Sequence, residues 1–130
     1  INPFKKEIIY IKTYENKVDL RHVNSGRQFK RESVNKFSNE RLLIASVSIA
    51  SAFLKEVLKE VFNNNLLDPK LVILIQPMEK VEGGISEVER MTFNDLVEQI
   101  GGKYVFVHDT CEELSDEMVK QITKTPILSI

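Results

Sequence analysis

Leu71-Val72-Ile73-Leu74-Ile75 is the feature that most narrows the fold. It is a continuous apolar run with no alternation, so both faces of this strand must be buried. Strands buried on both faces belong to the middle of a sheet covered by helices, usually with parallel neighbours. Pro77 closes the run. The residues on either side supply the helices. From about Ser46 to Asn63, Ile49, Ala50, Phe53, Leu54, Val57, Leu58 and Val61 recur at helical spacing, with Lys55, Glu56, Lys59 and Glu60 opposite. The Asn63-Asn64-Asn65 run and Asp68-Pro69 stop this helix.

Beyond the apolar run, Glu79 to Gly84 reads as a loop. Ser86-Glu87-Val88-Glu89 has the pattern of a capping box, opening a helix to about Ile100 that buries Val88, Met91, Leu96, Val97 and Ile100. Gly101-Gly102 supplies its C-terminal cap. Lys103 to His108 is a second short apolar strand. Thr110-Cys111-Glu112-Glu113 repeats the capping-box pattern and predicts a helix to about Ile122, with Leu114, Met118, Val119 and Ile122 inward. Pro126 ends helical structure.

Three strands precede all this. Glu7 to Thr13 is rich in β-branched and aromatic residues, and Glu15-Asn16 reads as a hairpin turn. Lys17 to Val23 alternates charged and apolar residues, which predicts one buried and one solvated face. After the Asn24-Ser25-Gly26 turn, Arg27 to Val34 is mostly polar and reads as an edge strand guarded by Lys and Arg. Arg41 to Ala45 is open between a short strand, a loop and a first helical turn.

The order β-β-β-α-β-α-β-α, with right-handed crossovers, predicts a mixed five-stranded α/β sheet with helices on both faces. That is a ribonuclease-H-like architecture. The 130 residues suffice for one such domain, divided into a meander at 1–34, alternating helices and strands at 35–122, and a tail at 123–130. The chain opens Ile1-Asn2-Pro3 with no initiator Met, which reads as a fragment or a processed chain.

Charge and cysteine usage bear on function. Eighteen Lys and Arg against 19 Asp and Glu give a net charge of -1, against a dedicated nucleic-acid binder. The single Cys111 excludes an internal disulfide and a multi-cysteine zinc site, a cytoplasmic profile. No apolar run reaches the ~18 residues of a membrane helix.

The stretches Leu71 to Pro77, Gly84-Ile85-Ser86-Glu87-Val88-Glu89-Arg90 and Gly101 to Val107, with Ile9-Tyr10-Ile11-Lys12 upstream, resemble the bacterial actin-like ATPases of the rod-shape-determining MreB type. The resemblance implies an actin-like first subdomain. It places the family's phosphate turn in Ile1 to Glu7, which has no Asp for a metal and no Gly for close backbone approach. The second phosphate loop and adenosine pocket of that family need a further domain. The resemblance therefore implies a degenerate subdomain without a bound cofactor. It also puts Glu89 where such proteins keep a carboxylate near the attacking water.

Each candidate site has a plain structural reading beside the functional one. Glu89 is the reciprocal partner of a capping box, the preferred reading. Gly83-Gly84 at a helix start suits phosphate, but Glu82 and Glu87 flank it, so a simple turn is preferred. The first strand has no acid inside Ile8 to Ile11 to hold nuclease metals. Asp109, His108 and Cys111 sit at the carboxyl edge of the predicted sheet, where a small enzyme would place its site. Asp109 reads rather as a turn or cap residue, and Cys111 as an incidental thiol. Arg21, His22, Arg27, Lys30, Arg31 and Lys36 form the one local charge asymmetry, either a solvated hairpin face or a contact surface. The expected function is a non-catalytic protein-interaction module, docking a partner through the edge strand or this basic hairpin. Self-association is open, and any membrane association would run through the partner. The alternatives are a piece of an actin-like ATPase and a small enzyme.

Overall fold

The computed structural model describes residues 6–63 and 70–124. The Asn64, Asn65 and Asp68-Pro69 helix stop, Pro126, residues 125–130 of the expected tail and Ile1 to Lys5 lie outside the described residues. Among the described residues five strands form one sheet: β1 (Lys6–Tyr14), β2 (Lys17–His22), β3 (Arg27–Glu32), β4 (Lys70–Pro77) and β5 (Gly102–Val107). Three helices, α1 (Val47–Val61), α2 (Glu87–Gln99) and α3 (Asp116–Ile122), fall between and after them. The strand order is β3-β2-β1-β4-β5. The β1–β2 and β2–β3 pairs are antiparallel, and β1–β4 and β4–β5 are parallel. The sheet is thus the expected mixed α/β sheet, and Leu71 to Ile75 lie buried near its centre.

Alternation along the central strands feeds two cores. Ile9, Ile11, Ile73 and Ile75 pack against Leu54, Val57 and Leu58 of α1 and Phe93, Leu96 and Val97 of α2. Tyr10 and Leu74, on the opposite face, pack against Leu114 and against Val119 of α3. Burial at about 25 cal/mol per Å² of apolar surface makes these two layers the main source of stability.

The segment at 33–46 has no regular element. Asn16, at φ 57 in the β1–β2 turn, holds it in place. Its Oδ1 accepts from the amides of Phe37 and Ser38, each at 2.8 Å. Phe37 is thereby set into the first core at 1% exposure. Arg41 to Ala45 is therefore loop, and β3 ends at Glu32, leaving Val34 exposed.

Three expectations need correction. Val88, Met91 and Met118 are exposed rather than inward. Phe93, Leu96, Val97 and Ile100 set the inward stripe of α2 at the i, i+3, i+4, i+7 spacing. Val88 and Met91 lie five and two residues before Phe93, out of that phase. The last helix starts after Ser115, whose side chain accepts from Met118 N, and not after Thr110. Finally, the charged face of β2 is only partly solvated: Lys17 is exposed, but Arg21 is half-buried and Asp19 only 8% exposed.

Candidate functional site

Among the described residues β3 is an edge strand, paired only with β2. Ser33 N donates to Asn16 O at 2.9 Å, extending the β2–β3 ladder. By antiparallel alternation, Gln28, Lys30 and Glu32 turn their backbone N–H and C=O groups to the outer edge, where the Lys30 carbonyl already accepts from Arg31 Nη1 at 2.9 Å. Just past β3, Val34 is 98% exposed. There Glu32 to Asn35 face Ser48, Ile49, Ala52, Phe53 and Glu56 of α1 across a groove of about 450 Å³.

The basic residues of the hairpin do not share one face. Strand alternation sends Arg21 and Lys30 to the α3 side and His22, Arg27 and Arg31 to the α1 side. On the α1 side, Arg31 Nη2 lies 2.7 Å from Glu60 Oε1, and Arg27 Nη1 donates to Val61 O at the C-terminal end of α1. A cation at that end complements the helix dipole. The two guanidinium groups flank the Phe29 ring at 4.9 and 5.5 Å. His22 contacts Glu7, 2.6 Å away.

The α3 side holds a charged cluster that sequence reading missed. Lys12, 3% exposed, places Nζ 3.2 Å from Asp19 Oδ2 and 3.1 Å from Glu113 Oε1. Asp19 also accepts from Gln28 Nε2 at 2.9 and 3.0 Å. Arg21 Nε lies 2.7 Å from Asp116 Oδ1, a close ion pair not aligned as a hydrogen bond. Its Nη2 donates to Leu114 O, and its guanidinium stacks over the Tyr10 ring at 5.0 Å. The Lys12 hydrogen bond holds the Glu113 carboxyl below its ordinary range. For Lys12, burial disfavours the charge, but the bonds to Glu113 and Asp19 outweigh it and raise its pKa. Burial pushes the Tyr10 phenol up.

Gln76, fully buried, completes the cluster. Its Oε1 accepts from the Tyr10 hydroxyl, and its Nε2 donates to Thr110 O and Glu112 O at 2.6 and 2.8 Å. The Tyr10 hydroxyl in turn accepts from Leu114 N at 3.0 Å. These bonds strap residues 110–114 across the sheet in an irregular, non-helical path, which is why the helix does not begin at Thr110. The one signal in the sequence was a lysine inside a central strand, since lysine is almost never buried unpaired.

The other candidates are spread apart. Glu89 closes the capping box: its Oε1 accepts from Ser86 N at 2.8 Å. Gly83 and Gly84 form a turn at φ 81 and 92. Asp109 pairs with Arg90 at 3.1 Å, His108 Nε2 meets Thr110 Oγ1 at 3.0 Å, and the exposed Cys111 has Sγ 3.9 Å from Pro77 O. Cys111 lies outside any helix N-terminus. Among the described residues no three His, Cys, Asp or Glu side chains converge as a metal site. Nor is any described helix long and apolar enough to cross a membrane.

This architecture is a distant actin-like fold. MreB5 of Spiroplasma citri, solved bound to ADP, superposes with a TM-score of 0.53 at 11% identity, over 80% of this chain and 38% of that one. The chain therefore spans well under half the length of MreB5. The PPX-GPPA enzyme of Aquifex aeolicus superposes at a TM-score of 0.44 and 13% identity, over 79% of this chain and 36% of that one. In sequence, the uncharacterized protein YjaA of Escherichia coli (strain K12) is 26% identical over 125 residues, covering 90% of this chain and 97% of YjaA. No family model matches the chain.

Proposed function

We propose that this chain is a protein-interaction module on a degenerate actin-like, ribonuclease-H-like fold, receiving an extended segment of a partner along the free edge of β3. The observation that carries this reading is the outward edge backbone of Gln28 and Glu32 and the outward N–H of Lys30, whose C=O is held by Arg31, continuing into the apolar groove beside Val34. Strand addition draws affinity from main-chain hydrogen bonds and specificity from a pocket for a side chain. The setting we propose is the bacterial cytoplasm, at cell-shape or envelope assembly, with no bound nucleotide.

A photo-crosslinking residue at position 34 tests it. An adduct mapped to one extended partner segment, and lost in Lys30→Pro, is expected. Tight ATP binding in calorimetry with magnesium present would overturn it. That outcome favours the second reading, a piece of an actin-like ATPase whose nucleotide site needs further sequence. The 38% span of MreB5 is the observation behind that reading.

A further inference from the structure

The β2–β3 turn brings together three side chains far apart in chemistry and close in space. His22 Nε2 lies 2.6 Å from Glu7 Oε1, and His22 Nδ1 lies 2.7 Å from Ser25 Oγ. A carboxylate accepts only, so Nε2 carries the proton toward Glu7. In the neutral imidazole Nδ1 is then the acceptor for the Ser25 hydroxyl, which also has His22 O within 3.5 Å. This is a hydroxyl, an imidazole base and an orienting carboxylate in hydrogen-bonded sequence.

The relay is held in place from both ends. Asn24 Oδ1 accepts from Ile8 N at 2.8 Å, and its Nδ2 donates to Lys6 O at 3.1 Å. One side chain thus clamps the backbone on both sides of Glu7. Glu7 is 7% exposed, while Ser25 is open to solvent. The His22 ring is braced edge-on by Phe62 at 5.4 Å between centroids. Arg27 N donates to Ser25 Oγ at 3.3 Å and favours negative charge there. Beside the relay is a cleft of about 250 Å³ walled by Val61, Phe62 and Arg27.

We propose that Ser25 is an activated nucleophile toward small carboxylic esters, with His22 as its general base and Glu7 as the orienting group. Ser25 Oγ attacks the ester carbonyl carbon as its proton passes to His22 Nδ1. The tetrahedral intermediate collapses, the bond to the leaving oxygen breaks, and His22 returns the proton to the departing alcohol. Water then gives a proton to the same nitrogen and attacks the acyl carbon; the carbon–Oγ bond breaks, the acid leaves, and His22 returns the proton to Ser25 Oγ. This inference is independent of the docking reading: it adds one chemistry at the opposite end of β3 and uses none of the groove residues.

The probe is p-nitrophenyl acetate, with product release followed by absorbance and the acetylated residue mapped by peptide mass spectrometry. Acetyl-Ser25 is the expected adduct. Its formation should fall about a hundredfold in His22→Gln, the scale of a general base, and vanish in Ser25→Ala. Ser25 is exposed in a turn, so Ser25→Ala keeps the fold, which a thermal melt checks. Acetylation confined to lysines in the wild type overturns the proposal. So does Ser25 acetylation that His22→Gln leaves unchanged while its melt stays normal.

Discussion

Lys12 and Asp19 face each other across the β1–β2 ladder with 3.2 Å between Nζ and Oδ2, and both lie almost wholly out of water. A buried ion pair contributes little net stability, because desolvating both charges offsets their attraction. Removing one partner is different, since it strands the other. Lys12→Ala should cost about 3 kcal/mol in urea unfolding. Lys12→Met with Asp19→Leu should recover much of that loss, because neither charge then remains buried.

Glu113 ties the 110–114 strap to Lys12, and its carboxyl is held below the ordinary value of 4.5 by that hydrogen bond. A depressed carboxylate contributes stability above its unfolded pKa and loses it as pH falls through the folded one. The strap should therefore loosen only below about pH 4.5. Hydrogen exchange at Leu114 N, followed against pH, should show this acid limb in the wild type. Glu113→Gln should flatten it. The half-exposed position of Glu113 keeps the amplitude small.

Gln76 satisfies a phenol and two backbone carbonyls with one buried amide. Gln76→Leu fills the space but leaves those groups without their partner. A loss of about 2–3 kcal/mol is expected, at about 1–3 kcal/mol per stranded buried group with partial relaxation to water. Tyr10→Phe should cost less and speed exchange of the Leu114 amide, which donates to that hydroxyl.

The phase of α2 gives a contrast in one helix. Phe93→Ala should cost about 3–5 kcal/mol, as for large core truncations. Met91→Lys, on the exposed side, should stay within about 0.5 kcal/mol. A large loss from Met91→Lys would mean the helix is turned the other way.

Gly102 opens β5 against the end of α2. A Cβ there would lie 2.5 Å from Val97 Cγ1 and 3.0 Å from Val97 O. Gly102→Ala should destabilise by about 1–3 kcal/mol in thermal or urea unfolding, the scale of overpacking. The backbone oxygen cannot rotate away, so a near-neutral result would show that α2 and β5 stand farther apart.

The sequence by itself determined what depends on neighbours along the chain. Helical spacing from Ala50 to Val61 gave α1 its buried stripe, and the Ser86–Glu89 pair marked where α2 begins. Five unbroken apolar residues marked β4 as a covered strand, because no solvated face could carry them. Only the tertiary structure decided what depends on residues distant in sequence. Thr110 to Glu113 has the local pattern of a helix start, yet Gln76, Lys12 and Tyr10 outbid it with long-range bonds. The alternation of β2 predicted a wet face, but the 110–114 strap covers it at Arg21 while Lys17 stays exposed. Glu7, His22 and Ser25 meet because the β1–β2 register places Ile9 opposite His22 and the following turn folds back onto β1. Periodicity reports which way a side chain points; what waits there is set by the packing of elements that the local sequence does not contain.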